Sequence, residues 1–170
     1  WLINSFCYYT RHTLVYSLIQ QALGTLVLGV EHIGSTAICS ISAKPIIDID
    51  VGVENLSIAR KRLFRERLIQ HGYQLRHDTR SESLYVLGPE SQRTHYLHIV
   101  RYRGRKWNND LAFRDSLKKN YNSARRYEKI KQELAKRYPQ NRKVYSAKKR
   151  VFIKQFVQQM RHIQAIGNLS

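Results

Sequence analysis

The sequence is poor in cysteine, in acidic residues and in long apolar runs. Its two cysteines, Cys7 and Cys39, lie far apart without CxxC spacing, which favours neither a disulfide framework nor a thiolate zinc site. Both thiols are expected as small core residues, and a reducing cytoplasm suits them. No apolar stretch approaches the roughly 18 residues of a membrane-spanning helix. The most apolar segments are interrupted by Arg11, Gln20, Gln21 and Glu31. No signal peptide is visible, and because the first residue is Trp1 rather than Met, the natural start is expected upstream or removed. Repeats, low-complexity tracts and Pro/Gly/Ser linkers are lacking as well. One cytoplasmic domain over 1–170 without a membrane partner is expected, with a sheet-containing core to about residue 105 and a basic helical part over about 106–165.

The shortage of acids is uneven. Against 30 Lys+Arg stand 12 Asp+Glu, a formal charge of +18. Residues 1–53 carry a net −1, residues 54–100 a net +3 and residues 101–170 a net +16. A field this one-sided strains a fold by self-repulsion, and polyanions are its natural counterpart. Solvated helix faces are the alternative.

The apolar period changes in an orderly way. Helical spacing from Tyr8 to Leu23 stops at Gly24; Leu26–Ile33 has strand character and runs into Gly34. A second strand covers Ile46–Val53, after Pro45, and a helix with a basic exterior covers Ile58–His71, closed by Gly72. Tyr73–Arg76, Leu84–Leu87 and Thr94–Arg101 are expected as further strands. Helices follow over Asp110–Lys119, Ser123–Arg137 and Arg142–Ile163, with Pro139 separating the last two. In the final helix Val144, Val151, Phe152, Phe156, Val157, Met160 and Ile163 form an apolar stripe expected in the core, with Lys148, Lys149, Arg150, Lys154 and Arg161 largely outside it. The fold class is therefore α/β (α+β): a small mixed sheet with flanking helices and a helical C-terminal part.

The chemistry concentrates between His32 and Asp50. Strand alternation puts Asp48 and Asp50 on one face and Ile47, Ile49 and Val51 on the other. Two adjacent carboxylates ionise together only around a cation, and Mg²⁺ chooses one or two carboxylates plus phosphate oxygens. About a dozen residues earlier, Gly34-Ser35-Thr36 offers a glycine turn whose N–H groups and hydroxyls suit a phosphate. A short helix beginning there would add its dipole. Lys44 stands just before the second strand. Each motif alone fits a plain turn or a solvent-facing acidic pair; in this order and spacing they point to a metal-bound nucleotide.

The segments Glu31-His-Ile-Gly-Ser-Thr-Ala37 and Ala43-Lys-Pro-Ile-Ile-Asp48 resemble the signature of the GrpB family, which is placed among the nucleotidyltransferases. The likeness continues through Arg93–Val100, Leu111–Leu117, Tyr127–Arg137, Tyr145 and Lys148, and covers about Leu14 to Val157. The resemblance implies a nucleotidyltransferase-like mixed sheet in which Gly34 and Ser35 hold the triphosphate. Asp48 and Asp50 would bind the Mg²⁺ or Mn²⁺ ions of an in-line displacement. A third carboxylate, usual in that superfamily, is lacking from Thr94–Val100. There the resemblance suggests His98 as third metal ligand or acceptor-side base, either of which needs a neutral ring nitrogen. His95 would lie on the opposite strand face.

Further along, Arg114 is either an ion-pair partner of Asp115 or a phosphate clamp. Tyr127 with Lys131, and Tyr145 with Lys148 and Lys149, share helix faces, where tyrosine packs and lysine snorkels, or where base and phosphate could be met together. Arg125, Arg126, Lys129, Lys148, Lys149 and Arg150 are the candidate nucleic-acid contacts. Two functions stay open: transfer of NMP from an NTP to an acceptor hydroxyl, RNA being the leading acceptor, or a catalytically inactive module that binds nucleic acid.

Overall fold

Apolar alternation in the central strands decides the architecture. In the computed structural model, residues 6–167 are described, with side chains over 14–159 apart from Arg142. Side-chain expectations for Cys7, Met160, Arg161 and Ile163 therefore lie outside the described residues. The elements are α1 (Phe6–Leu23), β1 (Val27–Ile33), β2 (Ile47–Val53), α2 (Ile58–Gln70), β3 (Gln74–Asp78), β4 (Glu82–Leu87), β5 (His95–Arg101), α3 (Arg105–Lys119), α4 (Tyr121–Arg137) and α5 (Arg142–Gly167). The five strands form one sheet in the order β1-β2-β5-β4-β3, with β2 and β5 parallel and every other pair antiparallel.

One sheet face is apolar throughout. Ile47, Ile49, Val51 and Val53 of β2, Leu97 and Ile99 of β5 and Tyr85 of β4 are buried in one cluster with Val15, Ile19, Ala22 and Leu23 of α1 and Phe64 and Leu68 of α2. Each such side chain contributes about 1.5–3 kcal/mol of transfer free energy, so this layer fixes the strand register. At the head of α2, the Ser57 hydroxyl accepts from the Arg60 N–H, a typical N-cap. With the register set by the isoleucines, everything between them in β2 must face the other way.

On that other face two glycines make room. Gly29 and Gly52 are partners across β1 and β2. A Cβ on Gly52 would come 2.7 Å from Tyr102 and 2.9 Å from Trp107, and one on Gly29 would meet the same two rings at 2.8 and 3.0 Å. The rings, 5.1 Å apart and edge to face, lie directly on the sheet backbone. Trp107 belongs to the first turns of α3, so the glycine pair seats the start of that helix against the polar face.

The chain divides into two compact units, residues 1–111 and 112–170. In the second, Phe113, Tyr127, Phe152 and Phe156 form an aromatic cluster with neighbouring ring centroids 5.1–6.1 Å apart. The apolar stripe of α5 differs from expectation at Val151, which is 53% exposed. One residue from Phe152 is about 100° around the helix, outside a face centred on Phe152 and Phe156. Cys39 is exposed rather than in the core, because it lies in the irregular loop before β2.

Candidate active site

The strand register assembles the site on the polar face. Asp50 pairs with His98 of β5 and with Glu31 of β1, while Asp48 pairs with Tyr96 and Ile33. Next to β5, β4 places Leu84 opposite His98, so Glu82, two residues earlier, projects to the same face. Glu82 Oε1 is hydrogen-bonded to His98 Nδ1, and His98 Nε2 lies 3.7 Å from Asp48 Oδ1. From α3, Lys106 Nζ reaches Asp110 Oδ2 at 2.6 Å and Glu82 Oε1 at 3.5 Å. His77 Nε2, on β3, approaches Glu82 Oε2 at 3.2 Å.

Asp50 is the anomaly among these acids. It is fully buried, and neither carboxylate oxygen has a hydrogen-bond partner among the described residues. Burial, reinforced by Asp110 and opposed by Lys106 and His98, pushes its pKa up to about 8. An ionised, unpartnered carboxylate at this depth costs several kcal/mol, so residues of this kind are neutral, paired or metal-bound. Burial also opposes ionisation of Glu82, yet the bond to His98, the charge of Lys106 and the bond to His77 together hold it well below the usual carboxylate range. His98 moves the other way: burial would lower it, but Asp48 and Glu82 raise it to about 9. Lys106 is likewise held in its charged form, burial being outweighed by Asp110, Asp50 and Glu82.

The expected phosphate turn adjoins the acidic pair. Gly34 has φ 70° and ψ −169°, and a Cβ there would collide with the Asp48 side chain, its Cβ at 2.8 Å. Glycine is required twice over, by the backbone angle and by the approach of Asp48. Ser35 opens a single 3-10 turn, Ser35–Ala37, and is half-buried. Thr36 is placed differently from expectation: buried, its hydroxyl donates to the Ile46 carbonyl at 3.1 Å and lies 3.0 Å from His32 Nε2. It ties the turn to the start of β2 instead of presenting a hydroxyl to phosphate. Lys44 is exposed in the same loop.

A divalent ion can be tested against this donor set. Among the described residues no three His, Cys, Asp or Glu side chains converge as a ready-made metal cluster. What is present is an acidic pair, one member of which has two unsatisfied oxygens, beside a glycine turn. That fits an ion such as Mg²⁺, which is held by one or two carboxylates and completes its shell with water and phosphate. His98 Nδ1 is engaged by Glu82, and its Nε2 lies 3.7 Å from Asp48 Oδ1, within ion-pair reach but beyond hydrogen-bond distance.

The remaining candidates belong to the helical unit. Arg114 Nε donates to Asp115 Oδ1 at 2.8 Å, the ion-pair alternative. Arg125 is salt-bridged to Glu128 at 2.6 Å and stacks 5.2 Å over the Tyr121 ring; Arg126, Lys129, Lys148 and Arg150 are exposed. Lys149 is half-buried, 6.0 Å from the Tyr145 ring centroid. Lys131 is buried over the Tyr127 ring, where burial and Lys149 lower its pKa to about 8.

Comparison with known proteins decides the family, since a family model described as GrpB protein matches residues 7–159. The chain belongs to the GrpB family. It is 36% identical over 149 residues to the glutamate-rich protein GrpB of Alkalihalophilus pseudofirmus, covering 85% of each chain. To a UPF0157 protein of Deinococcus radiodurans it is 36% identical over 129 residues, covering 75% of this chain and 65% of that one. The crystal structure of conserved protein GrpB from Enterococcus faecalis superposes with a TM-score of 0.78 at 30% identity, covering 89% of this chain and 91% of the other. The GrpB match takes in both motifs, the polar sheet face and α3.

Three residues of this GrpB site were missed in the sequence: Glu82, Lys106 and Asp110. Glu82, on β4, is a further carboxylate on the same sheet face, joined to His98. Its place in the period-two series with Leu84 and Val86 was the available signal, masked by the turn-like Thr79–Ser81 before it. For Lys106 and Asp110 the signal was an i,i+4 pair of opposite charge, with Lys106 ahead of the expected helix and Asp110 at its first residue.

Proposed function

We propose that this GrpB-family chain is a metal-dependent nucleotidyltransferase that moves NMP from an NTP to an acceptor hydroxyl, with RNA as the leading acceptor. The observation that carries this is Asp50, buried without a hydrogen-bond partner beside Asp48 and next to the Gly34 turn. Asp48 and Asp50 hold Mg²⁺ or Mn²⁺, and the Gly34–Ser35 turn with Lys44 receives the triphosphate. The bound ion supplies charge stabilisation at the α-phosphate. His98 and Glu82 act on the pair from behind, His98 fixing Asp48 against Glu82. In the transfer the acceptor oxygen bonds to the α-phosphorus, the bond to the pyrophosphate oxygen breaks, and the hydroxyl proton leaves to a carboxylate of the site. The net +16 over residues 101–170 is the ground for an RNA acceptor.

Incubation with each labelled NTP, Mg²⁺ or Mn²⁺ and total RNA tests the proposal. Label should enter RNA with the unmodified chain and fail to enter with Asp50→Asn. A non-catalytic nucleic-acid module is favoured by one feature, the engagement of Glu82 by His77, His98 and Lys106. RNA binding by both chains without label transfer in either would decide for that alternative.

A further inference from the structure

Lys131 has no part in the function proposed above, yet it is a lysine only 9% exposed within the helical unit of residues 112–170. An ammonium at that depth is costly to bury. It stands 5.0 Å over the Tyr127 ring, and that ring is stacked on Phe152 of α5 with centroids 5.8 Å apart. α4 and α5 are joined through residues 138–141 alone and form an antiparallel hairpin. Going from the stacked rings toward the hairpin turn, Lys131 lies one helical turn along α4 and Lys149 one turn back along α5. Both ammonium groups thus come to the same level of the hairpin. Lys149 stands 6.0 Å from the ring of the half-buried Tyr145, whose hydroxyl interacts electrostatically with Lys149 and with the Tyr127 hydroxyl. Two lysines and two tyrosines close around one place.

Like charges brought together at this depth repel. Burial and the charge of Lys149 lower the pKa of Lys131 to about 8 against the pull of Glu128. Glu128 is itself salt-bridged to Arg125 at 2.6 Å. The other acids of residues 112–170 are Asp115, paired with Arg114, and Glu133. Glu133 is exposed and, two residues from Lys131, lies about 200° around α4. A unit so short of acids that still keeps two ammonium groups together suits an anion from outside. The geometry points to a seat for a terminal phosphate group, held by Lys131 and Lys149 with the Tyr145 hydroxyl as a further donor. A phosphomonoester carries about −1.5 to −2 charges at neutral pH and offers three acceptor oxygens, which two ammonium groups and a hydroxyl match. The single charge of an internal phosphodiester matches them less well. Free nucleotides and the 5′ ends of RNA strands both present such a group, and the seat does not depend on the metal pair.

Calorimetry on the full chain in chelator tests this, using AMP and a single-stranded oligoribonucleotide with either a 5′-phosphate or a 5′-hydroxyl. The 5′-phosphate should strengthen binding to the unmodified chain about tenfold, the effect of one charge-assisted contact. That advantage should vanish in Lys131→Met and in Lys149→Met. The general attraction of the basic helices acts on both strands alike. Lys136→Met, which removes an exposed charge from the same helix, should therefore leave the advantage intact. Loss of AMP binding in the two lysine variants would assign the seat to a free nucleotide, and loss of the strand advantage alone would assign it to an RNA end. Strands that bind equally with and without the 5′-phosphate, together with AMP binding that neither variant changes, would overturn the proposal. Lys131→Met also removes a repelled buried charge, so its thermal midpoint in phosphate-free buffer should rise, and added inorganic phosphate should raise it less than it raises that of the unmodified chain. Should Lys131→Met fail to fold, the half-buried Lys149→Met carries the same comparison.

Discussion

Asp50→Asn should stabilise the metal-free protein at alkaline pH while abolishing its function. Asparagine keeps the shape of aspartate and removes the charge. On folding, the carboxyl pKa rises from 3.8 to about 8, burial being the main cause. Between those values the folded chain holds a proton that the unfolded chain has lost, so stability falls as pH rises through the window from about 4 to about 8. At roughly 1.4 kcal/mol per pKa unit, the loss in a rigid site is on the order of 6 kcal/mol. Relaxation and water entry reduce it, and a gain of about 2–3 kcal/mol for the variant at pH 9 is expected. For a chain of this size that is about 5–10 °C in thermal midpoint. Thermal unfolding of both proteins in chelator at pH 4.5 and pH 9 measures it. The midpoints should nearly coincide at pH 4.5 and separate at pH 9, and Mg²⁺ should raise the midpoint of the unmodified chain alone. A variant no more stable than the unmodified chain at pH 9, or equally more stable at both pH values, would refute the reasoning.

Three other outcomes are expected. Gly52→Ala forces Tyr102 and Trp107 off the sheet, since the added methyl would lie within 3 Å of both rings, and should cost about 1–3 kcal/mol in denaturant unfolding; an unchanged midpoint would show that the rings move freely. His98, whose pKa rises from 6.5 to about 9, adds stability that is complete below pH 6.5 and lost as pH rises through about 9. The destabilisation of His98→Ala should therefore shrink toward pH 10, and one as large at pH 10 as at pH 6 would exclude a protonated ring between Asp48 and Glu82. Binding of single-stranded RNA should weaken with salt, the slope of log K against log salt being near −3.5 if about five phosphates are neutralised at roughly 0.7 each; a flat dependence would assign the basic helices another role.

The sheet was legible because its information is local. Period-two alternation in Ile46–Val53 and Thr94–Arg101 named the buried faces, and Gly24, Gly72 and Pro139 marked element ends within a residue or two of where they fall. Helix starts were read less well: α3 begins at Arg105 rather than Asp110. No acidic residue marks its first turn, and what fixes it is Trp107 lying on Gly29 and Gly52. That contact joins residues far apart in the chain, and neither glycine looks different from any other strand glycine before the rings are seen against it.

The same division holds within the site. Asp48, Asp50 and Gly34 were found because strand alternation and glycine geometry are properties of neighbouring residues. Whether such acids are a liability or a site depends on what faces them, and that is set by strand order. β5 comes between β2 and β4. A carboxylate on β4 can therefore share the face of the acidic pair and be joined to a histidine on β5, as Glu82 is to His98. In the sequence His98 looked like a substitute for a missing carboxylate; in the sheet it also lies between Asp48 and Glu82, which would suit a connection to one. The distinction is chemical. As a substitute its ring would be a neutral ligand, active above its pKa, whereas as a connection it is a cationic donor whose contribution disappears above that pKa. Opposite pH dependences follow from one residue, so the profile of His98→Ala distinguishes the two roles even before any substrate is known.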